Sequence, residues 1–268
     1  MLGVRLQRPD GSLEAVACDA LLLACNGYGG APDLLQRFVP EMVAATFAGH
    51  PGNDGTAVRW GEALGARLAD LRAYQGHGSW AVPHAVLITW ALMVEGGVQI
   101  NARGERFHDE SQGYSEAALH VVAQPGGQVW NVFDDPVLAL AQGFPDFVQA
   151  QQAGAVRTCA DVGALAALIG CEPSTLQATL DGGAPDTADP FGRVFKRALQ
   201  APFHAVRVTG ALFHTQGGLD VDAQCRVLDA AGIQTVIAPE AGCCGAVKFH
   251  LNDQDGGRAE MRANIDAW

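Results

Sequence analysis

The sequence predicts a protein of the α/β or α+β class, and three observations support this prediction. Residues 20–25 form a continuous apolar run that ends in a glycine-rich turn, which is typical of a strand buried on both faces. Apolar residues recur at close to a 3.6-residue period over residues 57–68, which predicts an amphipathic helix. Further strand and helix patterns alternate along the chain, so we expect helices layered on a sheet.

The other elements follow in chain order. The pattern predicts a hairpin over residues 4–7 and 13–18, a helix over 115–123, a strand over 129–133, and two short helices over 161–169 and 173–180. The hairpin prediction rests on the turn signal Asp10-Gly11 between two strand-like segments.

Composition excludes several classes of function. A net charge of -12 repels phosphate backbones, so no nucleic-acid partner is expected. No apolar run reaches the length of a membrane span and no signal-peptide pattern is present, so we expect no membrane span and a cytoplasmic location. The 7 cysteines are scattered, which is typical of reduced thiols, and only the adjacent Cys243 and Cys244 suggest a further role.

Two glycine-rich segments, residues 24–30 and 50–56, offer backbone donors and close backbone approach to a flat or phosphorylated ligand. The candidate residues in them are Asn26, Gly27, Gly29, Asp54 and Gly55. Taken alone, such segments are equally compatible with simple turns.

Two further segments carry polar side chains. Residues 95–110 run from a strand through a glycine turn to Arg106 and Glu110, which predicts either a salt-bridged surface hairpin, the simpler interpretation, or one wall of an anion pocket. His214 and Thr215 precede Gly217 and Gly218 and provide hydrogen-bond donors for a carboxylate or a flavin carbonyl. A lone histidine is more often a packing residue.

The order of these segments resembles the fumarate reductase and succinate dehydrogenase flavoprotein family, particularly its tricarballylate dehydrogenase-like and ketosteroid dehydrogenase-like branches. The resemblance covers residues 3 to about 230. It rests on the turn at residues 24–30, on Asn53-Asp54-Gly55, on Gly104-Glu105-Arg106-Phe107 and on His214-Thr215-Gln216-Gly217-Gly218. It implies a partial FAD-binding domain formed by residues 1–75 and 200–225, with an inserted α+β capping domain at residues 76–199.

The resemblance also implies a reaction and a set of site residues. The cofactor is FAD, and hydride passes between the flavin and a C–C bond next to a carboxylate or carbonyl of a small substrate, with an electron-transfer partner. His214 and Thr215 bind the acceptor, and Arg106 and Glu110 shape the cap side. The residues expected to face the flavin are Asn26, Gly27, Gly29, Asp54, Gly55, Gly217 and Gly218.

The sequence departs from this family in three places, the last of them after His214-Thr215-Gln216-Gly217-Gly218, where the family continues into a glycine-rich segment with another substrate-binding arginine and this sequence does not. The family begins with a strand, a Gly-x-Gly-x-x-Gly turn and a helix that hold the FAD pyrophosphate, and this sequence starts after them, which predicts weak or lost FAD binding. The proton-donating arginine of fumarate reductases corresponds to a place near Gly113 and Tyr114, where no arginine occurs. This difference argues against fumarate as the substrate.

Residues 226–268 carry a second resemblance. Residues 238–253 resemble the last cysteine-rich segment of the glycolate oxidase iron–sulfur subunit, where Cys243 and Cys244 correspond to thiolate ligands of a redox cluster or metal. Two thiolates cannot complete a four-ligand site, so we expect an incomplete iron–sulfur cluster, and two ordinary free thiols remain an alternative. The two resemblances meet near residues 226–232. This suggests a chimeric or incomplete oxidoreductase, or alternatively a non-catalytic remnant or an electron-transfer fragment of glycolate oxidase type.

Overall fold

The computed structural model describes residues 3–18, 20–185 and 187–228. The strands are β1 (Val4–Gln7), β2 (Leu13–Val16), β3 (Thr46–Phe47), β4 (Leu68–Ala69), β5 (Tyr74–Ala81), β6 (Val86–Leu87), β7 (Val98–Ile100), β8 (Gln128–Asp134), β9 (Val156–Cys159), β10 (Phe203–Thr215) and β11 (Gly218–Leu219). The helices are α1 (Pro32–Phe38), α2 (Thr56–Ala63), α3 (Ala91–Val94), α4 (Tyr114–Val122), α5 (Asp135–Ala141), α6 (Pro145–Gln152), α7 (Val162–Ile169) and α8 (Pro173–Asp181), with 3₁₀ turns at Pro40–Met42 and Pro125–Gly127. The mixed fold class is confirmed.

The chain divides into two compact units. Within the described residues, the first comprises residues 3–18, 20–26, 56–69 and 218–228, and the second comprises residues 27–55, 70–185 and 187–217. The predicted domain boundaries follow a different division and stay a prediction.

The first unit confirms the predicted hairpin, since β1 and β2 pair antiparallel from Val4 opposite Val16 to Gln7 opposite Leu13. The predicted helix over residues 57–68 is confirmed in its first half only. It ends at Ala63, because Gly65 takes a positive φ of 80° and the Ala66 amide donates to the Gly61 carbonyl at 2.8 Å, closing the last turn.

The predicted buried strand over residues 20–25 is wrong. These residues are irregular and partly or largely exposed, and Leu22 is 37% accessible. A strand buried on both faces needs ladder partners on both sides, and none of the described strands pairs with this segment. Apolar composition alone therefore did not produce a strand here.

The second unit is built on a sheet in which the long strand β10 is central. Its first half pairs antiparallel with β8 and β9, and its second half pairs antiparallel with β5 and parallel with β3. β6 extends the sheet beyond β5, and β7 extends it beyond β8. Because β10 ends at Thr215, its C-terminal half carries the predicted substrate-binding residues into this sheet.

Helix α4 lies unusually close to this sheet because small residues meet at the contact. A Cβ added at Gly78 would come 2.6 Å from the Ala117 Cβ, and one added at Gly76 would come 2.7 Å from the Ala118 Cβ. Contacts this short do not occur between real Cβ atoms, so glycine is required in β5. The Ser115 hydroxyl also accepts a hydrogen bond from the Gly76 amide at 3.0 Å, which fixes the start of α4 beside β5.

Two apolar clusters hold the rest of the second unit. One contains Phe133 and Phe147, whose ring centroids are 5.9 Å apart, and the other contains Ile100, Leu165 and Leu176. The predicted helix over 115–123, strand over 129–133 and helices over 161–169 and 173–180 are confirmed as α4, β8, α7 and α8. Among the described residues, no helix has the length and apolar character needed to cross a membrane.

Candidate functional site

A group of polar and aromatic side chains meets where β5, β10 and the start of α4 come together. We call Gln75, His77, Tyr114, Phe213 and His214 the histidine–tyrosine cluster. The Gln75 Oε1 atom lies 2.7 Å from His214 Nε2, and Gln75 Nε2 donates to the Tyr114 hydroxyl at 3.4 Å. One amide side chain therefore links a histidine from β10 to a tyrosine from α4.

His77 forms the centre of an aromatic stack in this cluster. Its ring lies parallel, within 15°, to Tyr114 at a centroid distance of 5.0 Å and to Phe213 at 5.5 Å. Burial lowers the pKa of His77 to about 4, since a desolvated imidazolium is unfavourable. His77 is therefore neutral near pH 7, and its Nδ1 accepts a hydrogen bond from the Ser79 amide at 3.1 Å.

The predicted site residue Thr215 lies next to His214 and is buried. Its Oγ1 accepts a hydrogen bond from the Tyr28 amide at 3.0 Å, which joins the end of β10 to the glycine turn at residues 27–30. A Cβ at Gly27 would clash with the Thr215 side chain, so this glycine allows the close approach of the two segments.

The two glycine segments are also joined to each other. The Gly30 amide donates to the Asn53 carbonyl at 2.8 Å, and the Gly55 amide donates to the Gly27 carbonyl at 3.2 Å. Besides Gly27, three more of the predicted flavin-facing glycines have close protein neighbours: a Cβ would clash with Phe47 at Gly29, with Leu34 at Gly55 and with the Asp70 backbone at Gly217. Asp54 is exposed.

Asn26 and Gly218 lie in the first unit, and the two predicted metal ligands lie outside the described residues. Asn26 is exposed and takes a positive φ of 61°, which asparagine tolerates better than most residues. A Cβ at Gly218 would meet no atom within 4 Å, so its backbone face is open. Cys243 and Cys244 lie outside the described residues, and within those residues no three metal-ligating side chains group together.

Arg106 and Glu110 belong to a buried ionic group, which we call the arginine–carboxylate cluster (Arg106, Glu110, Asp189 and Arg193). Arg106 holds Glu110 with two hydrogen bonds, from Nε at 2.9 Å and from Nη2 at 2.6 Å, and its Nη1 binds Asp189. Arg193 donates to the same Glu110 at 3.0 Å and to the Gly97 and Met93 carbonyls. The four side chains are at most 5% accessible.

The charges in this cluster stabilise one another. Burial alone would raise the pKa of Glu110, but the hydrogen bonds and charge of Arg106, together with the charge of Arg193, lower it overall. The Gln99 amide adds a further hydrogen bond to Glu110 at 3.0 Å. All three guanidinium nitrogens of Arg106 and both oxygens of Glu110 are thus engaged by protein groups.

Sequence reasoning missed Gln75, His77 and Tyr114 as site residues. Tyr114 was noticed only as the place where an arginine is absent. A usable signal is the alternation Gln75-Gly76-His77-Gly78-Ser79, in which polar side chains and glycines repeat with the period of a strand. No local sequence pattern indicates that α4 places Tyr114 beside this strand.

Comparison with known proteins decides the family. The model of the FAD binding domain family matches residues 1–236. The chain belongs to this family. A relative with 25% identity is the NADH:fumarate oxidoreductase of Klebsiella pneumoniae (strain 342), aligned over 236 residues that make up 85% of this chain and 25% of the relative. The family predicted from the sequence is thereby confirmed.

A solved structure agrees in fold. The open conformation of a flavocytochrome c3 fumarate reductase matches with a TM-score of 0.71 and 24% identity, covering 87% of this chain and 42% of the flavocytochrome. The chain therefore spans less than half the length of either protein. A separate 46-residue segment is 61% identical to the glycolate oxidase iron–sulfur subunit of Escherichia coli (strain K12), covering 17% of this chain and 11% of that subunit. This match confirms the second resemblance.

Proposed function

We propose that the chain forms part of an FAD-dependent oxidoreductase that transfers hydride between the flavin and a C–C bond next to a carboxylate or carbonyl. The proposal rests on the hydrogen bonds that the side-chain amide of Gln75 makes with His214 and Tyr114. His214 directly precedes Thr215 in β10. The family match and the fumarate oxidoreductase relative support the same reaction class.

We assign the flat cofactor to the glycine turn at residues 27–30 of the second unit. Gly27 and Gly29 leave no side chain between the turn at residues 27–30 and its neighbours, and the turn is fixed to β10 through Thr215. Backbone amides and carbonyls are then the groups that such a segment offers to a ring edge. We propose that Gly27, Gly29 and Gly217 hold one side of FAD, with Asp54 and Gly55 supporting the turn.

When bound, FAD supplies a hydride acceptor or donor at its N5 atom. The protein residues have separate tasks. His214 binds a substrate oxygen, and Thr215, whose Oγ1 accepts from the Tyr28 amide, keeps its own O–H to donate. The neutral stack of His77 and Phe213 excludes water from one side of the cluster.

In this proposal Arg106 and Glu110 do not contact the substrate. Their hydrogen-bonding groups are engaged within the arginine–carboxylate cluster, so they shape the cap side by fixing residues 97–110 against Arg193. A substrate would meet the surface that this cluster supports, not the charges themselves.

The experiment starts with the full chain, purified and titrated with FAD while flavin fluorescence is recorded. We expect saturable FAD binding, and with reduced methyl viologen as electron source we expect oxidation of the dye by unsaturated acids or enones. The His214→Ala variant should bind FAD as before and lose at least about tenfold in kcat/KM, because acid–base and oxygen-binding residues typically contribute that much or more.

A matched control is His84→Ala, a histidine outside both clusters, which should keep full activity. A colourless protein that binds no added FAD would overturn the proposal. Equal activity of the His214→Ala and His84→Ala variants would remove His214 from the site.

The glycolate oxidase match favours a second candidate, a chimeric chain whose 46-residue segment belongs to an iron–sulfur electron-transfer protein. Cys243 and Cys244 would then contribute thiolates to a cluster that this chain cannot complete alone. Sequencing one amplicon across codons 200 to 268 of the source DNA tests the join. A continuous read across the join supports this candidate, and failure to amplify contradicts it.

A further inference from the structure

The proposed function rests on the contacts of Gln75 but assigns this side chain no task of its own, although it hydrogen-bonds to both His214 and Tyr114. It lies on β5 directly opposite His214 on β10, so the two side chains share one face of an antiparallel pair. The register shifts between Leu212 and His214, and such an irregularity re-aims the side chains that follow it.

The contact with Gln75 determines which ring nitrogen of His214 carries the proton. With the Gln75 Oε1 atom 2.7 Å from His214 Nε2, the imidazole must donate, because a carbonyl oxygen only accepts. This orientation serves both charge states of the ring, since Nε2 carries a proton in the imidazolium and in one neutral tautomer. The opposite orientation of the amide would place two donors against each other whenever His214 is charged.

The other end of the amide fits the same arrangement. Gln75 Nε2 donates to the Tyr114 hydroxyl oxygen at 3.4 Å, which leaves the phenolic proton for another acceptor. Stacking on His77 at 5.0 Å and the close packing of α4 on β5 keep the Tyr114 ring in place. Among the described residues, no hydrogen-bond partner lies at His214 Nδ1.

We infer that Gln75 is a positioning residue that fixes His214 with its proton on Nε2, so that Nδ1 is the atom that exchanges a proton or hydrogen bond with the ligand. When the ring is charged, Nδ1 donates to a substrate oxygen; when it is neutral, Nδ1 accepts. The ligand is a carbonyl or carboxylate compound, and this identity rests on the proposed function. The tautomer itself does not depend on that function.

The test is NMR spectroscopy of the full chain labelled with ¹⁵N-histidine, recorded at alkaline pH. Loss of signals in a His214→Asn variant identifies the His214 resonances. We expect the wild-type protein to show a protonated Nε2 and an unprotonated Nδ1, with an Nε2–H signal slow enough in exchange to be observed.

Two variants separate positioning from a merely structural role. Gln75→Leu removes the acceptor, and we expect loss of the Nε2–H signal through fast exchange with water. Gln75→Glu restores an acceptor, and we expect the signal to return. If Gln75→Leu fails to fold, the wild-type and Gln75→Glu spectra still decide the tautomer.

A proton on Nδ1 in the wild-type protein would overturn the inference, and so would an Nε2–H signal that Gln75→Leu leaves unchanged. Failure of the proposed function is distinguishable, because it appears as absent FAD binding or turnover while the His214 spectrum stays as expected.

Discussion

The arginine–carboxylate cluster and the histidine–tyrosine cluster lie in the same unit and are both built from polar side chains, but they differ in how completely those side chains are satisfied. Both oxygens of Glu110 and all three guanidinium nitrogens of Arg106 bind protein groups. In the other cluster, Gln75 makes two contacts, and Tyr114 remains 41% accessible.

This difference separates the polar residues that stabilise the fold from those that remain available for chemistry. A buried charge with every group paired costs much to disturb and offers nothing to a ligand. A partly exposed cluster with an open hydrogen-bonding atom costs little to alter, and its remaining capacity is what a substrate uses. Substitutions in the two clusters should therefore change the free energy of unfolding by very different amounts.

The largest effect is expected for Glu110→Gln. Removing this charge leaves the buried Arg106 and Arg193 without their shared carboxylate, and breaking a buried pair in this way costs about 3–5 kcal/mol. Urea unfolding followed by circular dichroism measures the loss. The matched control is Glu105→Gln, which removes an exposed pair with Arg103 and should change stability by less than about 1 kcal/mol. Equal losses in both variants would show that the buried cluster is no more important than a surface pair.

The second-largest effect is the dependence of the free energy of unfolding on pH. His77 and His108 both have a pKa lowered to about 4, first of all by burial. Between their ordinary value of 6.5 and about 4, the unfolded chain binds protons that the folded chain does not, so the free energy of unfolding falls as the pH falls through this window. Each histidine accounts for about 3 kcal/mol over the whole window.

His77→Phe should keep the stack with Tyr114 and Phe213 and remove one histidine's share of this dependence. Urea unfolding at a series of pH values from 7 to 4 provides the measurement. The pKa of Glu110 is also lowered from its ordinary value of 4.5, so loss of its contribution to the free energy of unfolding begins only in the more acidic range. An unchanged slope in the variant would mean that His77 is not held neutral by burial.

The sequence predicted the short elements with their own turn and cap signals, such as the hairpin around Asp10-Gly11 and α7, whose Asp161 side chain accepts from the Ala164 amide at 2.8 Å. It also singled out His214 and Thr215, and the structure places their side chains against Gln75 and the Tyr28 amide at the end of β10. It failed for residues 20–25, because a buried strand depends on neighbours that no local pattern contains.

The sequence also left the state of the charged residues open. Arg106 and Glu110 could be read as a surface hairpin or a pocket wall, and the structure places both inside a buried network completed by Asp189 and Arg193. These two partners lie 83 residues away along the chain from Arg106 and Glu110, respectively. Contacts over such separations depend on tertiary packing, and spacing along the sequence does not reveal them.

A smaller loss in the free energy of unfolding is expected for Gly78→Ala. This variant tests the close packing of α4 on β5 that places Tyr114 in the cluster. The new Cβ would lie 2.6 Å from the Ala117 Cβ, so the helix must move, and overpacking of this kind costs about 1–3 kcal/mol. The control is Gly182→Ala at the end of α8, where φ is -64° and the nearest atoms are 3.5 Å away. That change should cost nothing measurable, and a Gly78→Ala protein as stable as this control would contradict the close packing of α4.

The smallest change in stability is expected for Tyr114→Phe, which keeps the ring stacked on His77 and removes only the hydroxyl. The lost hydrogen bond is long, at 3.4 Å, and the residue is 41% accessible, so the cost should be at most about 1 kcal/mol in urea unfolding. If the two clusters differ as argued, the same variant should lower turnover of the FAD-loaded protein while Glu105→Gln leaves it unchanged. A loss of stability as large as that of Glu110→Gln would instead place Tyr114 among the residues that hold the fold together, because an open cluster cannot depend that strongly on one partly exposed hydroxyl.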